Sequence, residues 1–91
     1  MKAIQINPKY AEAYHGRGAA YGAKGLYDEA FEDFTKAIKI NSRYAEAYYG
    51  RGIAYSAKGL PELCISDWKR ATDLGDEDAR RYLKQFFNID Y

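Results

Sequence analysis

Cysteine and histidine each occur once, and that scarcity narrows the chemistry the chain can perform. Cys64 has no partner for an internal disulfide and stands in no cluster of metal ligands. His15 stands alone, so spacing suggests no Ser/His/Asp or Cys/His arrangement, and no enzyme activity, metal or cofactor is expected. The glycines form no phosphate loop either. Gly16–Gly18 and Gly50–Gly52 each flank an arginine within a helical pattern, the wrong context for cradling phosphate. Net charge is nearly absent, with 14 basic against 13 acidic residues. A polyphosphate partner favours a strong basic excess, so nucleic acid is not expected. No apolar run approaches the roughly 20 residues that span a bilayer, and residues 1–10 lack the apolar stretch of a signal peptide. The expectation is a soluble, cytoplasmic chain without membrane contact. With 91 residues there is one small domain's worth of core, marginal unless its elements pack efficiently.

What the chain does have is tyrosine, ten of them, and repetition. The stretch YAEAY from Tyr10 to Tyr14 returns unchanged at Tyr44–Tyr48, 34 residues on. Aligning residues 7–40 with 41–74 gives 17 identities, 15 of them in the first 20 positions, and only Asp33/Asp67 and Ala37/Ala71 beyond. A fixed period of that size marks a repeat array. Each unit reads as two helices. Tyr14, Arg17, Gly18 and Tyr21 share one helical face, as do Ala30, Phe31, Phe34, Ala37 and Ile38. In the copy, Cys64, Ile65, Trp68, Ala71 and Leu74 carry the second face. Gly25 and Gly59 suit helix C-termini, and Pro61 suits the first position of the next helix. Large residues alternate with Gly and Ala, which lets helix backbones approach closely.

This pattern resembles the tetratricopeptide repeat family, whose units are 34-residue helix–turn–helix hairpins. The resemblance is carried by Tyr14, Gly18, Tyr21, Ala30, Phe34 and Ala37, and again by Tyr48, Gly52, Tyr55, Trp68 and Ala71. It implies an all-α fold, a right-handed superhelical stack of antiparallel helix hairpins. Four departures stand out. Arg17 and Arg51 replace the usual leucine, Ser42 the closing proline, Cys64 a core alanine, and Pro61 the aromatic that begins a second helix. The domain reading follows: residues 1–6 end a preceding helix, 7–40 and 41–74 are the two units, and 75–91 hold a capping helix and tail. The cap is inferred because Phe86 falls where Gly18 and Gly52 fell and would block a further helix. Asp76, Glu77 and Asp78 suit its start. Its stripe is Ala79, Tyr82, Leu83, Phe86 and Phe87.

The resemblance implies a protein-interaction scaffold whose first helices line a concave inner surface. The residues expected to point there are Glu12, His15, Ala19 and Gly22, and in the copy Glu46, Tyr49, Ile53 and Ser56. Tyr10 and Tyr44, placed just before the helices, would flank the same groove. Such a surface suits a peptide or partner segment with apolar side chains. The family's basic clamp for chaperone C-terminal carboxylates is absent, since Gly16, Ala19, Gly50 and Ile53 stand across that surface. Arg17 and Arg51 are expected to lay their stems along a neighbouring helix and to release the guanidinium at the edge. Tyr27 is expected between helices, and Asp28, Glu29, Glu32 and Asp33 on a solvated outer face. The alternative reading is structural: self-association into a homo-oligomer by stacking through an open N-terminal end.

Overall fold

The computed structural model describes residues 8–91. The proposed helix end at residues 1–6 lies outside the described residues. Five helices follow in order: α1 (Pro8–Ala23), α2 (Tyr27–Ile40), α3 (Ala45–Ala57), α4 (Pro61–Asp73) and α5 (Glu77–Phe87). There is no strand among the described residues. Helices α1 and α2 form one hairpin and α3 and α4 the next; α2 packs on α3, and α4 on α5. The result is an all-α stack of helix hairpins, a slab of 47 × 27 × 17 Å.

The turns follow from local sequence. Gly25 and Gly59 close α1 and α3 with φ of 79° and 81°, a left-handed region that side chains other than glycine's rarely enter. In each case the next amide reaches back five residues. Leu26 N–H donates to the Tyr21 carbonyl and Leu60 N–H to the Tyr55 carbonyl, both at 2.9 Å. These bonds satisfy carbonyls that the helix end would otherwise leave open. Pro61 opens α4, where its missing N–H is no loss. Asp76 caps α5, its carboxylate accepting from Ala79 N–H at 3.1 Å. One boundary differs from the sequence reading. Helix α1 begins at Pro8, so Tyr10 lies inside the helix rather than before it. Proline is well suited to a first helical turn, which starts the helix earlier than its counterpart at Ala45.

Packing rests on aromatic rings seated against glycine. A Cβ placed on Gly18 would lie 3.0 Å from Phe34 Cε1, and one on Gly50 would lie 2.6 Å from Phe34 Cζ. The Phe34 ring is therefore wedged between α1 and α3 and ties one hairpin to the next. Trp68 does the same against Gly52, where a Cβ would collide with its indole. Gly18 and Gly52 thus play equivalent parts. The indole N–H donates to the Tyr49 carbonyl at 3.0 Å, so burial of this large side chain leaves no orphaned donor. Around these rings, Ala11, Ala37 and Ala47 form one buried cluster. Cys64, Trp68, Ala71, Ala79 and Leu83 form the other. Complete burial of Leu83 contributes about 2 kcal/mol.

The two arginines explain themselves through two buried carboxylates. Arg17 holds Asp33 with both prongs, at 2.7 and 2.9 Å. Arg51 holds Asp67 identically, at 2.8 and 3.0 Å. Asp33 and Asp67 are only 3% and 6% exposed. This corrects the expectation that Asp33 lies on a solvated face. Asp33 stands three residues after Ala30 and four before Ala37, both buried, so helical geometry carries it inward. A buried carboxylate needs such a partner. Asp28, Glu29 and Glu32 are exposed as expected, and Asp28 pairs with Lys58. Each guanidinium also lies over two tyrosine rings, Arg17 over Tyr14 and Tyr21 at 5.8 Å, and Arg51 over Tyr48 and Tyr55 at 5.7 Å. The Arg17 side chain is 58% exposed and does reach the edge, whereas that of Arg51, inside the stack, is 19% exposed.

Candidate functional site

A cleft of about 870 Å³ opens beside the first helices. Its walls come from the first helices of successive hairpins. His15, Ala19, Gly22 and Ala23 contribute from α1, and Glu46, Tyr49, Ile53 and Ala54 from α3. Small residues keep the α1 wall low. Phe34 and Tyr27 of α2 form part of the lining, and Leu74, Gly75, Asp76, Glu77 and Asp78 close one end from the α4–α5 turn.

A second cleft of about 480 Å³ lies between α3 and α5. It is the first cleft displaced by one repeat. Tyr49, Ile53, Ser56, Ala57 and Trp68 take the places of His15, Ala19, Gly22, Ala23 and Phe34. Here the space is crowded by Tyr82, Phe86 and Phe87. Tyr49 stacks on Tyr82 at 6.0 Å, and Tyr82 packs on Phe86 at 5.4 Å. Tyr49 and Ile53 form the partition shared by both clefts.

Of the ten residues expected on or beside the inner face, His15, Ala19, Gly22, Glu46, Tyr49 and Ile53 meet in the larger cleft. Ser56 lines the smaller one. Glu12 and Tyr44 line neither. Tyr44 sits beside the larger cleft, its ring 5.1 Å from that of His15, and His15 in turn lies 5.6 Å from Phe34. The imidazole is thus half-buried among aromatic rings. Tyr10 does not flank the cleft. As part of α1 it lies with Ala13, Tyr14, Arg17 and Ile40 around a separate cavity of about 540 Å³. Tyr27 is half-buried and lines the cleft. Leu74 and the acidic turn after it were missed. Asp78 stands one repeat after Tyr44, whereas residues 74–77 match no position expected on the inner face.

Electrostatically the cleft is one-sided. Glu46, Asp76, Glu77 and Asp78 line it, and no lysine or arginine does. Burial first, then the neighbouring Tyr82, Asp78 and Asp76, pushes the Tyr49 phenol up to about 12. Tyr44 is raised by burial and by Glu46 and Glu12. Both phenols remain protonated hydrogen-bonding groups near neutral pH. Burial likewise pushes the Cys64 thiol up to about 12, which leaves it a small core hydrophobe. Among the described residues, no group of three or more His, Cys, Asp or Glu side chains is placed to hold a metal ion. No helix among them is long and apolar enough to cross a membrane.

Helix hairpins that recur at a 34-residue interval and offer an inner cleft define an all-α helical-repeat protein. Residues 11–44 match the family model described as Tetratricopeptide repeat, and the five helices are arranged as such repeats are. The match begins four residues after the unit boundary drawn at residue 7. It spans α2 and most of α1. No curated protein matches the chain. Tetratricopeptide repeats generally mediate protein–protein interaction and are not themselves catalytic.

Proposed function

We propose that this chain is an interaction module that receives a peptide or partner segment in the cleft between α1 and α3. The observation that carries the reading is the contrast between two clefts in the same register. One is crowded by the aromatic side chains of α5. The other keeps a cavity of about 870 Å³ against about 480 Å³. That volume lies within the range of ligand-binding clefts, and the lining is largely apolar with a few polar groups. The exposed Ile53 on its wall gains from being covered. The residues assigned to contact are His15, Ala19, Gly22, Glu46, Tyr49 and Ile53, with Glu12, Tyr44 and Ser56 at the margins. The test is chemical-shift mapping with candidate peptides on the intact chain, alongside Tyr49→Ala and Ile53→Glu. Shifts clustered on these residues, and weakened binding in both variants, are expected. If both variants keep every detected interaction, the cleft assignment is wrong.

A second reading, self-association through the N-terminal end, has its own supporting observation. Tyr10 is 62% exposed. Ala13 and Arg17 are also exposed, whereas their counterparts one repeat later are covered, Ala47 buried with Ala11 and Ala37 of the preceding hairpin and Arg51 half-buried. A second copy stacked there would bury this face. Sedimentation across a concentration series tests it, and a monomer at every concentration rules it out.

A further inference from the structure

Building on the cleft reading, we propose that the segment bound there is cationic at one end and apolar along the rest. A lysine or arginine lies against the starts of α3 and α5, and about three apolar residues extend from it toward Tyr27. The polarity is set by the distribution of charge. Glu46, Asp76, Glu77 and Asp78 gather at one end of the cleft. At the opposite end the lining is Gly22, Ala23 and Tyr27, with no ionisable group but the tyrosine phenol, and the neighbouring Asp28–Lys58 pair lies outside that lining.

Three effects could cancel this acidic end, and none does. The dipole of α5 places about half a positive charge at its N-terminus, less than the three carboxylates of its first turn and cap. Arg80 and Arg81 pair with Glu77 and Asp78, but all four side chains are more than half exposed. Exposed pairs of this kind are weak and yield easily to a competing cation. Asp76 spends one oxygen on the α5 cap and keeps the other free to accept. An anionic segment in the same place would meet four carboxylates and no compensating charge on the cleft wall, which is an unfavourable arrangement.

Length follows from the same geometry. Along α1 the lining runs from His15 to Ala23. Eight helical steps of about 1.5 Å give about 12 Å, which an extended chain covers in about four residues at about 3.3 Å each. Beyond Tyr49 and Ile53 the aromatic side chains of α5 leave less room, so the segment stays on the α1 side of that partition.

The test selects binders from a random heptapeptide display library on the intact chain. Fluorescence anisotropy then measures the selected peptides on the parent chain, on Ala19→Trp, which fills the cleft, and on Glu46→Lys, which reverses charge at its acidic end. Both positions are exposed, so neither change disturbs the core. The expected result is enrichment of Lys or Arg beside an apolar run. Those peptides should lose binding in Ala19→Trp, weaken roughly tenfold in Glu46→Lys and bind less tightly as salt rises. Neutral or acidic peptides that Ala19→Trp abolishes and Glu46→Lys leaves unchanged would overturn the cationic assignment while the cleft remains the binding site. Binders indifferent to Ala19→Trp, or a library that yields none, would overturn both.

Discussion

Gly16 and Gly50 occupy the same position of successive units, and alanine at each should change stability in different ways. In a helix interior, alanine is favoured over glycine by about 1 kcal/mol. At Gly16 a new Cβ meets nothing within 4 Å among the described residues, so Gly16→Ala should realise most of that gain. At Gly50 the Cβ would lie 2.6, 2.7 and 3.0 Å from three atoms of the Phe34 ring. On its other side the ring already lies against Gly18, 3.0 Å from that residue's ideal Cβ position, which leaves it little room to retreat toward α1. Overpacking of this kind costs about 1–3 kcal/mol. The propensity gain is common to both variants, so the gap between them isolates the wedge at roughly 2 kcal/mol. For a chain this short, that gap corresponds to roughly 8–16 °C in Tm. Thermal melts followed in parallel by far-ultraviolet circular dichroism and by Trp68 fluorescence would read it, with coincident curves justifying a two-state treatment. Equal shifts in the two variants would mean that Phe34 is not held between the hairpins, and the account of how they couple would be wrong.

Asp67→Ala removes the carboxylate that Arg51 grips and should destabilise the chain by about 3 kcal/mol, at the low end for a buried pair. Urea denaturation measures this, and a loss below about 0.5 kcal/mol, typical of a surface change, would refute the pairing as a structural lock. Asp33→Ala should cost less, since Arg17 is more open to water. The raised Tyr49 phenol makes a pH-dependent contribution. Its folded value exceeds the ordinary tyrosine value, so the contribution is complete below about pH 10 and fades as pH rises toward 12. Stability measured at pH 9 and pH 11.5 should therefore fall less in Tyr49→Phe than in the parent chain, and an equal fall would refute the placement of that phenol.

The architecture was legible because its signals are periodic. The return of YAEAY, the glycines at matching turns and the acid triplet at the start of α5 each reflect a backbone need that admits few residue types. The arginines were harder to read. Their partners, Asp33 and Asp67, lie 16 residues away on the facing helix. Their signature was present, though, since they are one of only two identities in the divergent half of the repeat. Asp33 looked solvated because it stands among Asp28, Glu29 and Glu32, and only its spacing from Ala30 and Ala37 separates it from them. Within the cleft, helix phase placed the α1 and α3 walls. The floor and the acidic end come from Phe34 and the α4–α5 turn, which depend on how the hairpins lean together and leave no mark at the spacing of one helix.

The hydrogen bond from Trp68 to the Tyr49 carbonyl has a practical consequence. This is the single tryptophan of the chain, and it sits directly behind the partition between the clefts. A molecule pressing on the Tyr49 ring disturbs the backbone that anchors the indole, and the emission should change with it. The protein thus carries its own optical reporter of occupancy, usable in titrations without any added label.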